Sequence, residues 1–177
     1  VHKRPDLAVD AFALVRRAVP GARLVMVGDG DQMTAVRRRV AEIAPDVHLL
    51  GHREDIPRLL AGFDVLMATS HHDSMPGTVV EAQLAGTPVV AFAVDGIGQA
   101  LTLGVSGVAT ATRSVEALAA EVAALLADDG RRRGERQKSC HRDDRRQESP
   151  QNCPSSCHVP QCRKAILRTG GCGSGQG

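Results

Sequence analysis

Aromatic residues are nearly absent from this chain of 177 residues, which has no tryptophan, no tyrosine and three phenylalanines. The arginine-rich run from Gly130 to Arg146 contains none of them. Arginine side chains neutralise nucleic-acid phosphates, but proteins that bind single strands also stack aromatic rings on the bases. The sequence therefore does not predict nucleic acid as a partner.

Long apolar runs are absent as well. No stretch reaches the roughly 18 apolar residues that a membrane span needs, and no cationic leader precedes an apolar core. These residues predict neither a membrane span nor a secretory signal. The chain also shows no internal repeat.

Charge and cysteine divide the chain into two parts. Residues 1–130 carry 11 Lys and Arg against 16 Asp and Glu, whereas residues 131–177 carry 11 against 4 and all five cysteines. The last 38 residues contain no Phe, and their aliphatic residues are Val159, Ala165, Ile166 and Leu167. Such a segment buries too little apolar area to offset the entropy lost on ordering. We expect residues 1–129 to form one domain and residues 130–177 to be a disordered tail, or the product of a reading-frame shift near Arg131.

The tail contains four potential zinc ligands, Cys153, Cys157, His158 and Cys162. Their spacing lacks the paired Cys-x-x-Cys of common structural zinc sites. The sequence therefore predicts no metal site.

Hydrophobic periodicity within residues 1–129 predicts alternating helices and strands. The predicted helices cover Pro5–Ala18, Met33–Ile43, Ile56–Gly62, Thr78–Ala85 and Ser114–Ala127, with Ser114 as an N-cap, and the predicted strands cover Arg23–Val27, Val47–Leu50, Asp64–Ala68, Pro88–Phe92 and Gly107–Thr110. Alternation with short connections is typical of the α/β class, a doubly wound, Rossmann-like parallel sheet covered by helices.

The segment from Ser70 to Ala91 has the clearest functional signal. It places an acid at Asp73, a Pro-Gly-Thr turn, and a second acid at Glu81 between two predicted strands. In a parallel sheet, ligands bind beyond the strand ends, where a helix N-terminus offers N–H donors to a phosphate. Thr78 and Glu81 also fit a capping box, in which each side chain satisfies a backbone donor. These residues alone leave both interpretations open.

The full register of this segment resembles the donor-site signature of retaining glycosyltransferases with the GT-B fold, of the group 1 or glycosyltransferase family 4 type. Other stretches are similar to that family in the same order: His2 to Leu7 to its Lys-Gly-x-Asp turn, Arg23 to Gly30 to its second strand and Gly-x-Gly turn, Val47 to Pro57 to its base-binding loop, and Asp95 to Gly107 to its later glycine-rich region. The chain departs from the family pattern in having Asp73 for glutamate, Arg4 for glycine, and Gly98-Gln99 for Pro-Glu.

The resemblance implies one half of a GT-B fold, the C-terminal domain that binds the donor for retaining transfer of a hexosyl group. Because the sequence begins with Val1, we expect the N-terminal acceptor domain to be missing and this fragment alone to be inactive. The expected partners are a UDP-, GDP- or ADP-sugar donor and a lipid, glycan or small-molecule acceptor, with no cofactor. The expected location is cytoplasmic, at the inner membrane face if the acceptor is a lipid.

The resemblance also implies roles for individual residues. Asp73 contacts the sugar, Glu81 holds the ribose hydroxyls, Lys3 balances the diphosphate, the backbone of Gly77 and Thr78 binds phosphate oxygens, and Gly28, His52 and Arg53 lie near the nucleotide. His52 and Arg53 are equally well explained as solvated loop residues. His71 and His72 are further candidates for the sugar or, with Asp73, a metal, although paired histidines in an exposed loop more often do neither. Asp29 is most simply a turn residue.

Three other functions fit a fold of this kind. They are a non-catalytic nucleotide-binding module, a GT-B sugar-nucleotide epimerase, and a phosphoacceptor domain. The last is disfavoured because no acidic cluster follows the first predicted strand.

Overall fold

A computed structural model describes residues 3–44, 47–74, 76–94, 96–101, 107–140 and 164–168 of the chain. The helices in these ranges are α1 (Pro5–Ala18), α2 (Met33–Ile43), α3 (Ile56–Ala61), α4 (Gly77–Leu84), α5 (Ile97–Ala100), α6 (Val115–Ala127) and α7 (Asp129–Cys140). The strands are β1 (Arg23–Val27), β2 (Val47–Leu49), β3 (Val65–Ala68), β4 (Val89–Phe92), β5 (Gly107–Thr110) and β6 (Lys164–Arg168). They form one sheet in the order β2-β1-β6-β3-β4-β5, and the neighbouring strands run parallel.

Helices cover both faces of the sheet. All four residues of β4 are buried, as are the first three of β3, so side chains pointing to either face meet protein. Continuous burial of this kind is characteristic of a parallel strand between two helical layers. The predicted doubly wound, Rossmann-like α/β class is confirmed.

The largest helix contact joins α1 to α6. In α1, Pro5 occupies the first turn, where its missing N–H has no intrahelical partner to lose. Phe12 and Val15 on its buried face are at most 1% exposed. Leu118 and Val122 of α6 are fully buried and belong to the same hydrophobic core. Burial of side chains of this size stabilises the fold by about 1.5–3 kcal/mol each before the entropy cost of folding.

Most predicted elements lie where the periodicity placed them. The bounds of α1, β1 and β5 are as predicted, α2 spans the predicted Met33–Ile43, and the remaining predicted elements agree to within one residue at each end. The prediction of Ser114 as an N-cap is also confirmed, because its Oγ accepts the Ala117 N–H at 3.0 Å. The short helix α5 was not predicted.

Two segments of the tail differ from the expected disorder, because Asp129–Cys140 is helical and Lys164–Arg168 is a strand in the middle of the sheet. Polar contacts hold the start of α7. The Asp128 carboxylate accepts the Arg131 N–H at 2.9 Å, and Arg132 donates to the Leu126 carbonyl at 2.6 Å. A strand between two neighbours pairs its backbone on both edges. The expectation of disorder counted only apolar side chains, so it missed both kinds of contact.

The remaining sequence predictions for the tail concern residues that the structure does not describe. The four potential zinc ligands fall among residues 141–163. The domain boundary at residue 129 also stays a prediction. Among the described helices, none combines the length and the apolar character needed to cross a bilayer.

Replacing Ser114 with alanine tests the cap of α6. The change removes the acceptor for the Ala117 N–H, and N-cap losses of this kind typically cost about 1 kcal/mol. We expect Ser114→Ala to lower the free energy of unfolding by about that amount in urea denaturation. Ser114→Asp keeps an acceptor and should stay close to the wild type. Equal stability of the two variants would contradict the cap.

Candidate functional site

The centre of the site is an ion pair between Lys3 and Asp73. The Lys3 ammonium donates to the Asp73 carboxylate with an Nζ to Oδ2 distance of 2.6 Å. Only 12% of the Asp73 side chain is exposed, against 32% for Lys3. A carboxylate so far withdrawn from water needs a partner, and the lysine provides it. Two residues that the sequence assigned to the donor site are therefore in direct contact.

Two hydroxyl groups at the end of β3 support this pair. The hydroxyl of Thr69 lies 3.0 Å from the Lys3 carbonyl oxygen and 2.8 Å from that of Arg4. Ser70 donates to the same Asp73 oxygen that Lys3 contacts, at 3.3 Å. The turn before α1 and the loop after β3 are thus joined although about 70 residues separate them in sequence.

The N-terminus of α4 lies beside the ion pair. The helix begins at Gly77 with Pro76 as its N-cap, and the side chain of this N-cap residue accepts no hydrogen bond from the helix. The capping-box interpretation of Thr78 and Glu81 is therefore wrong, because Thr78 lies inside the first turn and not at the N-cap. Thr78 lines a cavity together with Lys3 and Asp73. Gly77 is exposed, with open space where a Cβ would stand.

The cavity itself is small. Its volume of about 20 Å³ suffices for roughly one water molecule. Its polar lining comes from Lys3, Thr69, Ser70, Asp73 and Thr78. Glu81 lies one turn further along α4, is half-buried, and is not part of that lining. Lys3, Asp73 and Thr78 thus share one small polar cavity, and Glu81 lies outside its lining.

A second group of predicted residues lies beyond β1 and β2. The Gly28 N–H donates to the Gly51 carbonyl at 2.7 Å, and both glycines have positive φ, 117° and 65°. These values favour glycine, which has no Cβ to clash. Asp29 accepts the Gly30 N–H at 2.9 Å, as expected of a turn residue. The turn after β1 and the loop after β2 are therefore side by side.

His52 and Arg53 lie in this second loop and are exposed. The Arg53 guanidinium forms a two-pronged ion pair with Asp55, with Nε to Oδ1 at 2.8 Å and Nη2 to Oδ2 at 2.9 Å. The pair presents arginine in a fixed orientation, although an exposed pair contributes little to stability. Because β1 and β3 are both neighbours of β6 in the sheet, the ends of these two strands lie roughly 10 Å apart.

His71, in the loop after β3, is partly buried. Its ring centroid lies 6.3 Å from that of Phe92, with the rings tilted by 51°. Burial lowers the pKa of His71, and the nearby charges of Arg4 and Arg113 lower it further. His72 is exposed. Across the described residues, no three potential ligands gather closely enough to hold a metal, so the metal option for the two histidines and Asp73 has no support there.

Gly96 holds the Asp73 loop from the other side. Its N–H donates to the Asp73 carbonyl at 3.0 Å. A Cβ at this position would stand 2.3 Å from that oxygen and 2.6 Å from the Ser74 carbonyl oxygen. Only glycine allows so close an approach. Gln83 of α4 also donates to the Ala100 carbonyl at 2.8 Å, which ties α4 to the end of α5.

Arg4 has the left-handed backbone conformation that glycine adopts easily, with φ 45° and ψ 59°. That conformation costs roughly 1–2 kcal/mol for a residue with a Cβ. The Arg4 guanidinium donates two hydrogen bonds to the Asp6 carboxylate, from Nε to Oδ1 at 3.0 Å and from Nη2 to Oδ2 at 2.7 Å. These bonds offset part of the cost. Arg4, which stands where the Lys-Gly-x-Asp pattern has glycine, thus has the backbone conformation that glycine adopts easily.

Thr69, Ser70 and Gly96 are site residues that the sequence analysis did not identify. Thr69 and Ser70 follow an apolar strand directly, and both are at most 5% exposed. Polar residues that continue a buried strand are a signal of buried hydrogen bonds. Gly96 lies within the predicted glycine-rich region, but only the packing shows what it touches.

Solved structures share this architecture. The Anabaena protein Alr3699/HepE, crystallised with UDP and glucose, is 26% identical with a TM-score of 0.73, and the alignment covers 81% of this chain and 40% of that one. TarM from S. aureus has a TM-score of 0.75 at 20% identity, covering 79% of this chain and 29% of TarM, and supports the fold alone. The fold is that of a Rossmann-like half of a GT-B glycosyltransferase.

The family follows from the sequence comparisons. Residues 1–128 match the family described as Glycosyl transferases group 1, and the chain belongs to it. It is 35% identical over 126 residues to a glycogen synthase of Mycobacterium tuberculosis (strain CDC 1551 / Oshkosh). It is 35% identical over 136 residues to a D-inositol 3-phosphate glycosyltransferase of Segniliparus rotundus. These alignments cover 68% and 71% of this chain and 30% of each relative.

Adding a methyl group at Gly96 tests the support of the Asp73 loop. Gly96→Ala forces backbone atoms apart, and we expect a loss of about 1–3 kcal/mol in the free energy of unfolding, measured in urea. Gly98→Ala, two residues further along and inside α5, is the matched control because a Cβ there meets nothing within 4 Å. Equal losses in the two variants would show that Gly96 does not hold the loop.

The lowered pKa of His71 predicts a pH dependence of stability. Between the folded pKa and about 6.5, the unfolded chain binds a proton that the folded chain does not. The free energy of unfolding should therefore fall as the pH drops through about 6.5. Urea denaturation at pH 7.5 and at pH 5.5 measures this fall in the free energy of unfolding. We expect the fall to be smaller in His71→Gln than in the wild type. The control His48→Gln, which replaces an exposed histidine, should show the same fall as the wild type. An unchanged fall in His71→Gln would contradict this prediction.

Proposed function

We propose that this chain is the C-terminal, donor-binding part of a glycosyltransferase that moves a hexosyl group from a nucleotide-diphosphate sugar to an acceptor and retains the anomeric configuration. The observation that carries the proposal is the joint position of Lys3, Asp73 and the N-terminus of α4 around one cavity. Family membership supports the same activity.

The charges around this cavity suit the binding of a diphosphate. The N-terminus of α4 concentrates partial positive charge, and the Lys3 ammonium, which is paired with Asp73, lies beside it. An ammonium has three donors, so Lys3 can keep one hydrogen bond to Asp73 and give the others to phosphate oxygens. Both groups would stabilise the negative charge that develops on the departing nucleotide.

The remaining roles follow from position. Asp73, held by Lys3 and Ser70, would contact the sugar, and Glu81, one turn along α4, would bind the ribose hydroxyls. The loop with His52 and Arg53 and the turn at Gly28 would lie beside the base. The family is one of transferases, and the relatives named above are a glycogen synthase and a glycosyltransferase, which favours transfer over epimerisation or binding alone.

The proposed partners are the donor, an acceptor and a second domain. The acceptor is a lipid, a glycan or a small molecule, and the N-terminal domain of the whole enzyme would bind it and close the cleft over the donor. Closure of this kind excludes water from the reacting atoms. The proposed location of the enzyme is cytoplasmic, at the inner membrane face for a lipid acceptor.

Nucleotide titration tests the donor site. Calorimetry of the full chain with UDP, GDP, ADP and their sugar conjugates should show selective binding of one base, with UDP tested first because Alr3699/HepE binds it. Lys3→Ala and Glu81→Ala each remove charged hydrogen bonds, and we expect each to weaken binding about ten-fold or more. The full chain is used because β6 lies inside the sheet.

A matched control separates these losses from general effects of a mutated helix. Glu42 is a glutamate on α2 that is half exposed and makes a 3.4 Å contact with Arg39, away from the cavity. Glu42→Ala should therefore bind the nucleotide as the wild type does. Binding that Glu81→Ala retains in full would contradict the assigned role of Glu81, and a folded wild type that binds none of the nucleotides would contradict the donor site.

A further inference from the structure

We propose that Thr69 is a positioning residue for the donor site, whose hydroxyl holds the turn that carries Lys3 and so keeps the Lys3 ammonium on Asp73. Its effect on nucleotide binding rests on the function proposed above. Its effect on the ion pair does not, because the ion pair and the Thr69 contacts are all internal to this chain.

The Thr69 hydroxyl contacts the backbone of two residues in the turn before α1. Thr69 directly follows β3 and is only 1% exposed. Its Oγ1 lies 3.0 Å from the Lys3 carbonyl oxygen and 2.8 Å from the Arg4 carbonyl oxygen, so one proton is shared between two acceptors. The Arg4 carbonyl also accepts the Leu7 N–H at 3.2 Å. Loss of the Thr69 hydroxyl therefore removes a buried donor from the backbone of both residues.

The turn that Thr69 contacts is strained at Arg4. Arg4 has a left-handed backbone, and a residue with a Cβ holds that conformation only when its surroundings enforce it. One restraint is the grip of the Arg4 side chain on Asp6, which is partly exposed. The other is the buried Thr69 hydroxyl. Lys3 directly precedes the strained residue Arg4. The path of the Lys3 backbone therefore depends on the Arg4 ion pair and on the Thr69 hydroxyl.

The Lys3 side chain connects this turn to the loop after β3. Its ammonium reaches Asp73 at 2.6 Å, a close contact between two residues on separate chain segments. A flexible four-carbon side chain keeps such a contact best when its backbone is fixed. If the turn relaxes, the Lys3 ammonium moves away from Asp73. The mostly buried Asp73 carboxylate then loses this contact. Thr69 thus acts on donor binding through Lys3, and it touches no reacting atom.

Thr87 provides a matched control. It is also a buried threonine, and its hydroxyl donates to a backbone carbonyl, that of Leu60, at 2.6 Å. It does not line the cavity of the donor site. Replacing either threonine with valine removes one buried hydroxyl at nearly constant shape. A general loss of stability would therefore be common to both variants, whereas a change at Lys3 would be specific to Thr69.

The first readout is the lysine ammonium signal, observed by nitrogen-15 NMR of the full chain without ligand. We expect Thr69→Val to move the Lys3 signal toward that of Asp73→Asn, in which the ion pair is absent. Thr69→Ser should restore the wild-type signal, and Thr87→Val should leave it in place. In the Asp73→Asn background, Thr69→Val should have no further effect on the signal. A Lys3 signal that is the same in Thr69→Val and Thr87→Val would overturn the proposal.

The second readout is affinity for the nucleotide that the wild type binds. Thr69→Val loses the hydrogen bond that positions the turn, and we expect its affinity for the nucleotide to be about three- to ten-fold weaker. Thr69→Ser keeps the hydroxyl and should have the affinity of the wild type. In the Lys3→Ala background, Thr69→Val should cost nothing more, and a full further loss there would overturn the route through Lys3. If the wild type binds no nucleotide, the proposed function fails, and the ammonium signals still decide the role of Thr69.

Discussion

Parallel strand pairing is the constraint on which the rest of this structure depends. Because the paired strands run in one direction, their carboxyl ends meet along one edge of the sheet. The turn at Gly28 follows β1, the loop with Asp73 follows β3, and Gly96 comes soon after β4. Residues scattered over much of the sequence are thereby brought to one place. Both faces of the sheet are covered by helices, so this edge is where a ligand finds exposed backbone and polar side chains.

Electrostatics then decide what the edge can bind. Asp73 is mostly buried, and its charge is tolerable only because Lys3 and Ser70 contact the same carboxylate oxygen. Lys3 is in turn held by a turn that is strained at Arg4 and tied down by Thr69 and Asp6. The positive end of α4 completes the arrangement. In the proposed function, stability and donor recognition would depend on the same contacts, so substitutions in this cluster are expected to affect both.

The sequence predicted a large part of the fold and less of the site. The periodicity of α1 and β1 and the N-cap at Ser114 are local signals, and the structure confirms them. The capping box at Thr78 was a local signal too, but it was wrong, because the helix begins one residue earlier with Pro76 as its cap. The two ordered segments of the tail were missed because their contacts are backbone pairing and polar capping, which composition does not reveal.

The sequence by itself determined the class of fold, the family, and the residue types available for binding a nucleotide sugar. These follow from short-range patterns. The periodicity of helices and strands can be read from neighbouring residues, and so can the order of residues from Asp73 to Ala91. Only the tertiary structure decided which of those residues meet. The contact of Lys3 with Asp73, the reach of Thr69 to the start of the chain, and the support of the Asp73 loop by Gly96 join segments about 20 to 70 residues apart. Such contacts depend on strand order and on the packing of loops at the sheet edge, and no local pattern encodes them.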